Sequence, residues 1–149
     1  MARFLGLDIG DARTGVAVSD ANGRMALPVE TVVRTRSIRQ DAARIARLAV
    51  ERDATAIVVG LPKMMNGAES EQASRIDAFI RVLRGYVRIP IHMQDERLTT
   101  HAAAQVLRDV GTRRRTRKGQ LDAAAACIIL QEWLDAQTVP ALADASEAE

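Results

Sequence analysis

Three acids carry residue types and positions that could do chemistry together. The first, Asp8, interrupts the otherwise apolar run Phe4-Leu5-Gly6-Leu7-Asp8-Ile9-Gly10. Aspartate is depleted in strands and costly to bury without a partner. Strand alternation sends Leu5, Leu7 and Ile9 to one face and Phe4, Gly6, Asp8 and Gly10 to the other. The carboxylate then emerges between two residues without side chains, where a metal ion or a phosphate can approach the backbone. An aspartate near a strand end also caps the turn that follows, and this strand alone leaves both roles open. The second acid, Glu96, follows Asp95 after another short apolar run. The third, Asp122, opens the alanine-rich segment 123–126. Capping and the helix macrodipole also place acids at such a position. A small alanine face pressed onto a sheet would nevertheless bring Asp122 toward Asp8.

Converging carboxylates repel one another, and a divalent cation resolves the conflict. Hard oxygen ligands favour Mg²⁺ or Mn²⁺, and two ions about 4 Å apart stabilise the attacking and leaving oxygens of an in-line phosphoryl displacement. In that arrangement Asp8 bridges, while Glu96 and Asp122 each complete one metal position. The bases follow the same logic. Arg13 and Lys63 lie in turns after strands and suit phosphate contacts. Arg97 either grips phosphate or orients Glu96. Arg113, Arg114, Arg115, Arg117 and Lys118 place five cations in six residues. Self-repulsion keeps such a run solvated, and its place before Asp122 suits a loop that holds an anionic substrate. Only Phe4, Phe79, Tyr86 and Trp133 are aromatic. Recognition by base stacking is therefore disfavoured against recognition of a backbone or a shape. His92 and His101 flank Asp95 and Glu96, but read as a strand residue and an exposed helix-start residue rather than as ligands.

The elements that must position these residues are legible in the hydrophobic pattern. Two short strands, the second ending at a turn centred on Asn22-Gly23, precede a third over 25–33 that Pro28 assigns to a sheet edge. Ser37 and Gln40 form a capping pattern for a helix with Ile38, Ala42, Ile45, Leu48 and Ala49 inward. Residues 56–60 read as a strand buried on both faces, and a helix from about Glu69 turns Ile76, Phe79, Ile80 and Leu83 inward. A strand over 89–93 follows, then a helix with Ala103, Val106, Leu107 and Val110 inward, stopped by Gly111. The last helix is predicted from near Gln120 to about Asp135. This order predicts a single α/β domain with a mixed five-stranded sheet and helices on both faces. In open α/β sheets the site lies at the carboxyl ends of the parallel strands, where Asp8 and Asp95-Glu96 fall.

The 149 residues suit one domain with its own core, too small for two nucleotide-binding lobes. The formal charge is +2, and the last nine residues hold three acids and no base, leaving +5 on residues 1–140. That balance suits an anionic partner. The one cysteine, Cys127, sits in an apolar run, cannot form an internal disulfide, and points to core packing in a reducing compartment. With no signal-peptide pattern and no run long enough to span a membrane, a cytoplasmic location is expected.

Leu5-Gly6-Leu7-Asp8-Ile9-Gly10 with Gly15-Val16-Ala17-Val18-Ser19-Asp20 resembles the opening signature of the YqgF family, also called RuvX, in the ribonuclease H-like superfamily. Gly60-Leu61-Pro62 with Gly67, then Asp95-Glu96-Arg97-Leu98-Thr99-Thr100, then Leu121-Asp122-Ala123-Ala124-Ala125-Ala126 resemble its remaining motifs in order. The resemblance implies a ribonuclease H-like nuclease domain over 1–136; residues 137–149, acidic and without periodicity, are expected to be a disordered tail. It implies a nuclease processing the 5′ end of pre-16S ribosomal RNA, with Asp8, Glu96 and Asp122 catalytic, Mg²⁺ or Mn²⁺ as cofactor, and ribosomal particles among its partners. The alternatives are a Holliday junction resolvase acting on DNA, or a protein that binds the ribosomal precursor without cutting it. One departure bears on the choice: the last helix of RuvC-type resolvases supplies two acids three residues apart, whereas here Asp122 is followed at that spacing by Ala125. An Asp-x-Gly turn is also similar to the phosphate loop of the sugar kinase and actin superfamily, whose two lobes this chain is too short to form.

Overall fold

The computed structural model describes residues 3–61, 67–95 and 123–137. The N-terminal part is a meander of β1 (Arg3–Ile9), β2 (Arg13–Ser19) and β3 (Ala26–Val33). Helix α1 (Ile38–Glu51), β4 (Ala54–Leu61), α2 (Gly67–Arg84) and β5 (Ile91–Asp95) follow. The sheet order is β3-β2-β1-β4-β5. Strands β1 to β3 pair antiparallel, while β4 runs parallel to both β1 and β5. This is the mixed five-stranded sheet that the sequence predicts.

Alternation along β1 divides the interior into two layers. Leu5, Leu7 and Ile9 join Ile57 and Val59 beneath α1 and α2, where Ile45, Leu48, Ile76, Phe79, Ile80 and Leu83 complete the main core. On the opposite face Ala17 and Val58 meet Ala126, Ile129, Leu130 and Leu134 of a helix over 123–137. Phe79, Leu83, Leu5 and Leu7 are fully buried, and each such side chain contributes about 1.5–3 kcal/mol of transfer free energy.

Local chemistry sets the boundaries. The Ser37 side chain caps α1 by accepting from Gln40 N at 3.2 Å. The reciprocal half of the capping pattern is replaced, because Ser37 N donates instead to Thr35 Oγ1 at 3.0 Å. Pro28 lies on β3, an edge strand as predicted, and opposite it the register slips between Val16 and Ala17. That bulge accommodates the missing donor of proline. Strand β5 starts two residues later than the apolar run suggests: Pro90 stays outside, and its carbonyl accepts from Ile57 N at 2.9 Å. The last helix extends through residue 137, past the expected end at Asp135. No helix breaker occurs before Pro140 to stop it there. The predicted helix over 103–110 lies outside the described residues. No described helix is long and apolar enough to cross a membrane.

Candidate active site

Asp8 lies one residue before the end of the central strand, half-buried, on the face covered by the 123–137 helix. Its antiparallel partner on β2 is Gly15. On the other side the register pairs Leu7 with Val59, so one step further Asp8 stands level with Gly60. Both cross-strand neighbours therefore lack side chains, and nothing of theirs crowds the carboxylate. The same register continues to Gln94 on β5, two strand spacings or about 10 Å away.

The covering helix has a definite direction. Near the start of β1 the rings of Phe4 and Trp133 are 5.0 Å apart, and Trp133 also stacks on His92 at 5.1 Å. One pleat further on, a Cβ placed on Gly6 would lie 2.7 Å from Leu130 Cβ and 3.1 Å from the Ala126 carbonyl. Helix numbers thus fall as strand numbers rise, so the Ala123 end of the helix points toward the Asp8 end of β1. Gln131 locks this placement: Oε1 accepts from Ala26 N and Nε2 donates to the Arg24 carbonyl, both at 2.9 Å. Glycine at position 6 is what allows so close an approach. Gly6→Ala is expected to destabilise the protein by about 2 kcal/mol through overpacking, measured by urea denaturation.

The turn after Asp8 is held from the opposite side by a network absent from the sequence-based expectations. Gly10 N donates to the Arg13 carbonyl at 2.9 Å, closing the turn, and a Cβ on Gly10 would sit 2.7 Å from that oxygen. Arg34 then clamps it, with Nη1 donating to the Gly10 carbonyl at 3.1 Å and Nε to Asp41 Oδ2 at 3.2 Å. The Arg34 guanidinium lies 5.1 Å from the centre of the Phe79 ring. Asp41 is only 5% exposed and also accepts from Thr35 N and Oγ1, both at 2.9 Å. A signal was available: Asp41 occupies the apolar stripe of α1, between Ile38 and Ala42, where an acid needs a buried cation.

Arg13, predicted to contact phosphate, opens β2 at the same edge with an exposed side chain. Lys63, Glu96, Arg97, Asp122 and the bases Arg113, Arg114, Arg115, Arg117 and Lys118 lie outside the described residues. Among the described residues no three potential ligands gather as a metal site. His92 is accounted for by its stacking on Trp133, as expected of a strand residue.

Cys127 behaves as core rather than nucleophile. Burial pushes its thiol up to about 11. Since the folded value exceeds 9.0, the neutral thiol's contribution to stability is complete below pH 9.0 and is lost as pH rises toward 11. Alkylation by iodoacetamide at pH 8 is expected to be about a hundredfold slower in the folded than in the unfolded chain. Equal rates would contradict the burial.

The mixed five-stranded sheet, with its central strand covered on one face by α1 and α2 and on the other by the 123–137 helix, has the ribonuclease H-like fold. Residues 2–136 match the family described as RuvX, Holliday junction resolvase, and the chain belongs to that family. A relative from Chloroflexus aggregans named "Putative pre-16S rRNA nuclease" is 44% identical over 137 residues, covering 92% of this chain and 96% of that protein. A relative of the same name from Nocardia farcinica is 44% identical over 139 residues, covering 89% and 77% respectively. Among solved structures, T. thermophilus RuvC in complex with Holliday junction substrate matches with a TM-score of 0.62 at 15% identity, over 93% of this chain and 96% of that one. Fowlpox virus resolvase with junction DNA matches with a TM-score of 0.56 at 11% identity, over 91% and 98%. These two likenesses establish the shared fold.

Proposed function

We propose that this protein is a divalent-metal-dependent nuclease that hydrolyses phosphodiester bonds at the 5′ end of pre-16S ribosomal RNA. The observation that carries it is Asp8, held on the central strand between Gly15 and Gly60 at the edge toward which the Ala123 end of the 123–137 helix points. Asp122 immediately precedes Ala123, and Glu96 immediately follows β5, whose carboxyl end lies at the same edge.

This donor set is all hard oxygen and fits Mg²⁺ or Mn²⁺, with Asp8, Glu96 and Asp122 as the holding residues. Charge stabilisation at the phosphorus and activation of water are what a divalent ion contributes when bound. The chain's own residues do the rest. The rigid central strand fixes the Asp8 carboxylate, and the side-chain-free neighbours let a phosphate come close to the backbone. Arg13, Lys63, Arg97, Arg113, Arg114, Arg115, Arg117 and Lys118 supply phosphate contacts that set register without reading sequence. The nuclease domain spans 1–136, followed by an acidic tail over 137–149, and the protein works in the cytoplasm with ribosomal precursor particles.

A second reading, junction resolution on DNA, is favoured by the description of the family. Ala125, three residues after Asp122 and part of the covering helix, argues against it, because that position supplies the fourth acid in RuvC-type enzymes. The deciding experiment offers end-labelled single-stranded RNA matching a precursor 5′ end, and a four-way DNA junction, with Mg²⁺ or Mn²⁺. Cleavage of the RNA supports processing, cleavage of the junction alone supports resolution, and binding without cleavage of either supports a non-catalytic role.

A further inference from the structure

The positive charge of the chain is unevenly distributed. Residues 34–52 hold six arginines against two acids, Asp41 and Glu51, a balance of +4 where the whole chain carries +2. Of those acids, Asp41 is buried and already engaged by Arg34. Arg36, Arg39, Arg44 and Arg47 are all exposed. Arg44 contacts Glu30 at 3.4 Å, whereas Arg36, Arg39 and Arg47 have no ion-pair partner among the described residues. Helix α2 differs: Arg75 pairs with Asp11 at 3.0 Å and Arg81 with Asp77 at 3.1 Å.

The unpaired arginines also have a direction. Strand β3 runs parallel to β1, so its last residue, Val33, reaches the edge that bears Asp8, and it pairs there with Arg13. Arg34 ties the following residue to the Gly10 turn, and Arg36 and the start of α1 come next. Arg39 and Arg47, eight residues apart on one helical face, continue the row away from the site for about 12 Å. A groove between the end of β3 and α1, walled by Thr35, Gln40, Arg44 and Arg47, runs beside it.

We propose, resting on the nucleic-acid reading above, that this row of arginines, Arg36 just before α1 with Arg39 and Arg47 on it, is a second binding surface for the substrate. It holds the phosphate backbone of the strand several nucleotides from the scissile bond: α1 covers the face of the sheet opposite Asp8, so a long substrate leaving the site passes round the edge where β1 and β3 end and is gripped on the α1 face. Arginine not engaged in an ion pair is what a repeating phosphate requires, and the absence of exposed aromatic side chains on α1 makes the contact one of charge.

The test is fluorescence anisotropy of the full chain in EDTA with single-stranded RNAs of about 6 and about 24 nucleotides over a salt series. Three counterion-releasing contacts to a single strand contribute roughly 2 to the slope of log Kd against log salt. Arg36→Gln/Arg39→Gln/Arg47→Gln should lose that amount on the long strand and nothing on the short one. In cleavage it should raise KM for the long substrate with kcat retained. Arg81→Gln/Arg84→Gln on α2 should leave the slope unchanged, and the single Arg47→Gln variant, with less change to the fold, should lose one contact's share, roughly 0.7. An unchanged slope in the α1 variants, or an equal loss in the α2 variant, overturns the proposal. If the wild type binds through these arginines but never cuts, the nuclease reading fails and this surface stands; if it cuts with unchanged slopes in the variants, the reverse holds.

Discussion

Asp8→Asn is expected to slow phosphodiester cleavage by about a thousandfold, some 4 kcal/mol of transition-state stabilisation, while leaving the fold intact. Asparagine keeps the size of the side chain and one oxygen acceptor, so packing on the central strand is preserved. What it removes is the negative charge that the proposed ligand role for a hard cation requires. The covering helix is anchored elsewhere, through Gly6, Phe4 and Gln131, and should not move. Steady-state rates and a thermal melt of the same preparation check both halves. Loss of activity together with an unfolded melt would show that Asp8 is structural.

The second large effect is on stability. Asp41→Ala should cost about 3 kcal/mol, since it leaves Arg34 with no carboxylate and Thr35 N without its acceptor. For a chain of this size the melting temperature should fall by roughly 10 °C. The loss reaches the site because Arg34 bridges Asp41 and the Gly10 carbonyl. Freed from Asp41, the guanidinium no longer fixes the turn that follows Asp8. Asp41→Asn should be milder, because Oδ1 can still accept from Thr35. Equal stability of wild type and Asp41→Ala would contradict the buried network.

Wherever hydrophobic period alone determined structure, the sequence was sufficient. Leu5, Leu7 and Ile9 against Gly6 and Asp8 settled the two faces of β1, and Ile76, Phe79, Ile80 and Leu83 settled the inner face of α2. The edge position of β3 was legible because proline cannot donate to a ladder on both sides. Boundaries were less so: whether Pro90 joins β5, or where the last helix ends, depends on pairing with β4 and on the absence of a breaker, which period does not encode. The Arg34–Asp41 pair was missed because a charged residue in an apolar stripe needs its partner identified, and that partner sits seven residues away across a turn. At the site, the placement of Asp8 beside glycines was legible from β1, while Gly15 and Gly60 became its neighbours only through strand register.

The measurement that most directly tests metal-dependent cleavage at Asp8 uses precursor RNA with a single sulfur replacing a non-bridging oxygen at the scissile phosphate. Sulfur binds Mg²⁺ poorly and softer Mn²⁺ or Cd²⁺ better. One diastereomer should be cut slowly with Mg²⁺ and regain its rate with Mn²⁺ or Cd²⁺ in the wild type, with none of the three metals supporting cleavage by Asp8→Asn. Cleavage at the same rate with every metal, or by Asp8→Asn as fast as by the wild type, would contradict it.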